Sequence, residues 1–248
     1  MNEMIDTLKG VVLLDEKTYQ SFLASENVMK RGIFILLACF LVVAFPAAVG
    51  QLIDNVQPFT AERAEAFQEE FLQGFEQAAP FLPEGEEFQI FMEQFKENFA
   101  FGASIGVAID ALPRPLPRAA GGFFQALGGW LSAPFTHLAA WMSYAIWVLL
   151  FSKITGGFGG VNRFLGLTAL FAVPNLLGFF NFIPFLGGAI SLVGVVWGWV
   201  VYVKAVQISQ EYTTSKAILI AILPVLVMFT AVFLLTVMSV IGLVAAVR

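Results

Sequence analysis

Apolar residues run through this chain in long blocks, and polar residues collect between them. The longest block covers residues 164–203, forty positions without one Asp, Glu, Lys or Arg. Roughly 20 helical residues cross the hydrocarbon core of a bilayer, so a block of twice that length is expected to cross, turn and return. Asn181 and Pro184 interrupt it, which predicts a tight turn over residues 181–185 between two helices. Residues 32–53 are 22 uncharged positions and form the first crossing, with Pro46 near its far end. The polar stretch before it is too long for a secretory signal, so it reads as a retained anchor. Residues 119–152 are again free of formal charge and contain Pro134. They are expected to divide into an interfacial helix over 121–132 and a crossing over 135–152. Residues 217–247 supply the last crossing, with Pro224 near its start. The pattern predicts five crossings. Proline inside them is tolerable where neighbouring helices re-satisfy the freed backbone groups.

Between the first two crossings the pattern changes. Residues 54–112 carry twelve acidic side chains against two basic ones, Arg63 and Lys96. Phe67, Phe71 and Phe75 recur at i, i+4, i+8, and Phe88, Phe91, Phe95 and Phe99 recur at helical spacing after them. Both are helical stripes, separated by the breakers Pro80 and Pro83. The expectation is a helical hairpin whose Phe faces meet and whose Glu residues face water. A membrane-surface helix fits less well, because such helices carry Lys and Arg on the polar side. Residues 100–112 are apolar over half a span, interfacial or packed under that hairpin. Residues 113–118 (PRPLPR) are a stiff connector. Residues 1–31 show only weak periodicity, with Tyr19, Phe22 and Leu23 at i, i+3, i+4, and read as a short polar tail or an interfacial helix.

Composition agrees with the pattern. Hydrophobic residues are 58% of the chain and charged residues 12%, with a mean hydropathy of +0.81. Soluble domains carry about 25% charged residues, too many to match this chain. A formal net charge of −5 and the lack of a basic patch exclude nucleic acid as a partner. Cys39, the single cysteine, excludes an intrachain disulfide and a multi-thiolate metal site, and is expected to be a small buried hydrophobe.

These observations predict an all-α membrane protein, a five-helix transmembrane bundle with an extracytoplasmic acidic α-helical hairpin. Its parts are an N-terminal tail over 1–31, a first transmembrane helix over 32–53, the acidic hairpin and connector over 54–118, and a four-helix membrane region over 119–248. Lys9, Lys17, Lys30, Arg31, Lys153, Arg163, Lys204 and Lys216 fall on one side of the crossings. Basic residues near crossings mark the cytoplasmic side, so the N-terminus is expected inside and the C-terminus outside.

Residues 120–245 resemble the Yip1 domain. The likeness lies in a Gly-rich loop (GGFGG, 156–160), a crossing with a central Pro (AVPNLL, 172–177) and a crossing with internal Trp (VVWGWVVYVKA, 195–205). A polar loop ending in Ser215, Lys216 and Ala217 follows, and then a crossing with Pro224 near its start. The resemblance implies a helical bundle without catalytic residues, and no cofactor is expected. Its eukaryotic members are associated with vesicle trafficking and small GTPases. Their polar Tyr/Gly-Pro signature has no counterpart in residues 1–31, which points to a bacterial plasma membrane.

Candidate sites are few. None of the five crossings contains Asp, Glu, Lys or Arg, which argues against an ion-coupled pump. His137, the only histidine, is either a ligand to a metal or tetrapyrrole or an interfacial side chain bonded to backbone or water, and the second is expected. Pro174 and Asn175, with Asn181 and Pro184, are the polar points of the central block. Pro174 frees a backbone carbonyl that Asn175 could satisfy, giving either a packed kink or a discontinuous helix that holds a substrate. Gly194 and Gly198 stand at the spacing that lets helices approach closely. Phe67, Phe71, Phe75, Phe88, Phe91 and Phe95 are either a hairpin core or a docking stripe for a protein partner. No catalytic triad, phosphate loop or paired-carboxylate site is discernible, and no enzyme activity is expected. The expected role is non-enzymatic, a scaffold or accessory subunit in the bilayer with a protein partner or a second copy of itself. A small-solute or lipid permease using the 174–184 region is the alternative.

Overall fold

The structure, a computed structural model, describes residues 2–78, 86–113, 116–184 and 186–246, with side chains omitted for 2–4, 74–78, 86–87 and 240–246. Among the described residues it is all-helical, without strands. The order is α1 (Asn2–Val12), α2 (Glu16–Ala24), α3 (Val28–Val56), α4 (Ala61–Ala78), α5 (Glu86–Asp110), α6 (Arg118–Ile154) and α7 (Val161–Thr168). Two 3-10 segments, Ala169–Ala172 and Pro174–Phe182, extend α7, and α8 (Leu186–Gln210) and α9 (Thr214–Ala246) complete the chain. Five segments are long and apolar enough to cross a membrane: Val28–Val56, Arg118–Ile154, Val161–Phe182, Leu186–Gln210 and Thr214–Ser239. That is the pattern of a multi-pass membrane protein. The chain divides into two compact units, residues 1–49 with 127–248, and residues 50–126.

In the first unit, residues 1–31 are not a loose tail. Asp15 caps α2, its carboxylate accepting hydrogen bonds from the Thr18 amide at 3.2 Å and the Thr18 hydroxyl at 2.7 Å. Leu14, at φ 56°, closes α1 in the left-handed conformation, and the Asp15 N–H returns to the Gly10 carbonyl at 2.9 Å. Val11, Tyr19 and Phe22 are buried in the same core as Leu36, Phe164, Leu167 and Val206. Trp197 of α8 donates its indole N–H to the Val12 carbonyl at 2.8 Å. The apolar face of these two short helices was too brief to register as a stripe; tertiary contact supplies what periodicity lacks.

The central block does turn back on itself near Asn181, as expected, but its first arm is not a plain α-helix. After Thr168 it winds as 3-10, with Val173 N–H bonded to the Leu170 carbonyl at 3.0 Å and Leu176 N–H to Val173 at 3.1 Å. A 3-10 helix rises about 2.0 Å per residue against 1.5 Å for α, so these fourteen residues reach roughly 7 Å further. Residues 121–132 and 135–152 are not two helices either. They form one, α6, of 37 residues with Pro134 inside it. Where α3 meets α7 the backbones touch: a Cβ on Gly32 would lie 2.2 Å from the Gly166 carbonyl oxygen. α9 is held at its start, where Ala217, Ile220 and Ala221 are buried and Tyr144 donates its hydroxyl to the Ala221 carbonyl.

In the second unit, α4 and α5 bring Phe71 onto Phe95 at 4.8 Å and Phe67 onto Phe99 at 5.9 Å between ring centroids. Residues 100–110 continue α5 as one 25-residue helix. The Pro80–Pro83 break and the Phe75 side chain lie outside the described residues.

Candidate functional site

The proline at position 174 sets the geometry of the central kink. It has no N–H to give to the Phe171 carbonyl three residues back, the acceptor a 3-10 turn would use. Asn175 replaces the missing donor: its Nδ2 donates to that carbonyl at 2.8 Å. α8 passes directly over the repair. A Cβ on Gly198 would come within 2.7 Å of Asn175 Nδ2 and 3.1 Å of the Phe171 oxygen, and one on Gly194 within 2.8 Å of the Pro174 oxygen. Only glycine at both positions lets the helix lie this close. The structure therefore brings Pro174, Asn175, Gly194 and Gly198 together. Asn181 and Pro184 belong to the turn, six or more residues on and roughly 12 Å further along a 3-10 rise. There Asn181 Oδ1 accepts weakly from the Ser191 hydroxyl at 3.5 Å.

Beside the kink is a recess of about 270 Å³, walled by α3, α6, the 3-10 segment and α8. Aromatic rings line most of it, and no Asp, Glu, Lys or Arg reaches it. His137 stands at its rim, its ring stacked on Phe40 at 4.0 Å and 8°. Among the described residues no three His, Cys, Asp or Glu side chains come together as metal ligands would. From the sequence Trp141, like Trp130 and Trp147, fits either an interface or a bundle position, and Tyr202 carries no signal of its own. In the fold Trp141 and Tyr202 are each 4% exposed, and neither the indole N–H nor the phenol hydroxyl has a hydrogen-bond partner. Only the fold shows that they are core and that their polar ends are unmatched.

A second polar cluster closes the other end of α8. α6 closes on a left-handed Gly156 (φ 81°), with the Gly157 N–H returned to the Ser152 carbonyl at 2.8 Å, and the loop begins there. It then wraps the fully buried carboxamide of Gln210. A Cβ on Gly159 would lie 1.8 Å from the Ser209 oxygen. Lys153 Nζ holds the loop by donating to the carbonyls of Gly157 and Gly159, and Tyr212 donates to the Ser152 carbonyl at 2.7 Å. GGFGG is thus a loop, as its composition indicates, but a tightly fitted one.

In the second unit two ion pairs form between charges close in space. Arg63 pairs with Asp54, and Asp110 pairs with Arg118 at 2.8 Å while accepting the Phe59 N–H at 3.0 Å. The Phe stripes are only partly consumed by each other: Phe67 stays 58% exposed, Phe91 52% and Phe101 68%.

No family model, curated protein or solved structure matches the chain.

Proposed function

We propose that this is a non-enzymatic, Yip1-like integral membrane protein that acts as a scaffold or accessory subunit of a membrane complex. Its residues 54–118 form an extracytoplasmic acidic helical hairpin that docks on a protein partner. The observation that carries this is the exposure of Phe67, Phe91 and Phe101 on helices otherwise dressed with Glu. Aromatic side chains left in water beside an acidic surface suit a partner with an apolar groove rimmed by Lys or Arg. The bias of Lys and Arg toward one side of the crossings supports a cytoplasmic N-terminus, and the missing Tyr/Gly-Pro signature in residues 1–31 supports a bacterial plasma membrane. A permease through residues 174–184 is less well supported, since Asn175 spends its amide on a backbone carbonyl and α8 is pressed against the kink.

The test is co-purification in mild detergent. The wild-type chain is expected to retain a stoichiometric partner that Phe91→Ser with Phe101→Ser releases while the bundle's melting temperature stays unchanged. A wild-type chain recovered alone as a monomer, or a partner held equally by the double variant, refutes the docking role.

A further inference from the structure

The recess beside the kink is built in a way that packing alone does not require. It is an open recess of about 270 Å³, walled by Phe40, Trp141, Tyr144, Phe171, Trp199 and Tyr202. Buried polar groups are almost always hydrogen-bonded. Tyr144 obeys this rule through the Ala221 carbonyl, yet Trp141 and Tyr202, on facing helices, do not. Both of these groups can donate: an indole N–H can do nothing else, and the phenol hydroxyl has a proton to give. What the site lacks is an acceptor. No Asp, Glu, Lys or Arg stands in the wall and His137 lies only at its rim, so the recess suits an uncharged ligand, because a charged group in an apolar site needs a counter-charge. The rim residues His137, Ala140 and Trp199 are exposed and lie in helices apolar enough to cross a membrane, so entry is from the hydrocarbon side.

We propose that this recess binds a flat, uncharged, membrane-soluble ring bearing carbonyl oxygens, a ligand of the quinone class. Its ring stacks among the aromatic walls, and its oxygens accept from Trp141 Nε1 and the Tyr202 hydroxyl. Both donor atoms are buried, so binding includes a small rotation of those side chains toward the ligand. The volume lies just below the roughly 300–1,000 Å³ typical of sites for whole drug-sized molecules, so the recess holds the ring head and leaves any tail among lipid chains. This goes beyond the docking role and does not depend on it.

The experiment is calorimetric titration of the full chain in mild detergent with 2-methyl-1,4-naphthoquinone and, separately, with 2-methylnaphthalene, the same frame without carbonyls. The quinone is expected to bind saturably at one site, and the hydrocarbon at least tenfold more weakly. Tyr202→Phe and Trp141→Phe are each expected to weaken the quinone about tenfold, the effect of one lost hydrogen bond, without changing the hydrocarbon. Tyr202→Phe also deletes an unpaired buried hydroxyl, so the ligand-free variant should melt higher than wild type while binding worse. That opposite pair of signs separates lost recognition from lost folding. Ala140→Phe, which fills the recess from its rim, should abolish binding of both probes. Absence of saturable quinone binding overturns the proposal. So does equal affinity for the two probes, which would mark an acyl-chain pocket, or quinone affinity within threefold of wild type in both donor variants. Retention of a partner protein is untouched by any of these outcomes, so the two proposals fail separately.

Discussion

Replacing Asn175 with Leu tests the physical account of the central kink. Leucine has the branching and heavy-atom count of asparagine and keeps the space beneath Gly198 filled, but it cannot donate. The Phe171 carbonyl would then have neither the backbone N–H that Pro174 lacks nor the side-chain amide 2.8 Å away. An unsatisfied buried acceptor costs about 1–3 kcal/mol. Hydrogen bonds between membrane helices average only about 0.6 kcal/mol, because alternative partners are usually found. With the backbone N–H at 174 missing, a loss of about 1–2 kcal/mol is expected. For a unit of this size that is roughly 2–8 °C in melting temperature. The decisive comparison is with Pro174→Ala, which restores an N–H three residues from the same carbonyl. In that background Asn175→Leu should cost close to nothing. The four proteins form a double-mutant cycle, followed by thermal unfolding in a single mild detergent. Equal cost of Asn175→Leu with proline or alanine at 174 would refute the idea that the amide replaces the proline's missing donor.

Two further outcomes follow from the same geometry. Gly159→Ala places a methyl on the Ser209 carbonyl and should destabilise by about 1–3 kcal/mol, the usual cost of overpacking, whereas Gly160→Ala next to it meets nothing within 4 Å and should cost only the preference for glycine over alanine at the N-cap of α7, below about 1 kcal/mol. The Asp15 carboxyl is held below its usual 3.8 chiefly by the Thr18 hydroxyl, so its stabilising effect is present above about pH 4 and disappears as pH falls through its folded value. Asp15→Asn keeps an acceptor at the cap without titrating, so its deficit in melting temperature against wild type should vanish on acidification; a deficit constant from pH 7 to pH 3 would show that the charge contributes nothing.

The crossings were legible because hydrocarbon imposes a simple rule on every residue that faces it, and uncharged blocks of the required length stand out whatever the fold. The kink residues were partly legible: Pro174 announces a lost donor and Asn175 a possible replacement, and two glycines four apart announce a close approach. That α8 makes this approach directly onto the kink was not readable, since spacing names no partner. Gly32 against Gly166 was invisible for the same reason, as each is isolated in sequence. Residues 1–31 were underrated because α1 and α2 are too short to declare an amphipathic face, although Val11, Tyr19 and Phe22 are core. Pro134 suggested a boundary that α6 does not have, an instance of a bundle tolerating proline within a long helix.

The sequence by itself determined that this chain is helical and suited to a membrane, where its polar breaks fall, and that the acidic charge gathers in one segment. These are one-dimensional properties, set by transfer free energy and by local backbone chemistry. Tertiary structure decided the rest. It chose 3-10 winding after Thr168, because Asn175 and the glycines of α8 stabilise a segment that proline had weakened. It also enclosed Trp141 and Tyr202 beside a recess without giving their polar ends a partner, which depends on how several helices meet and on no single stretch of chain.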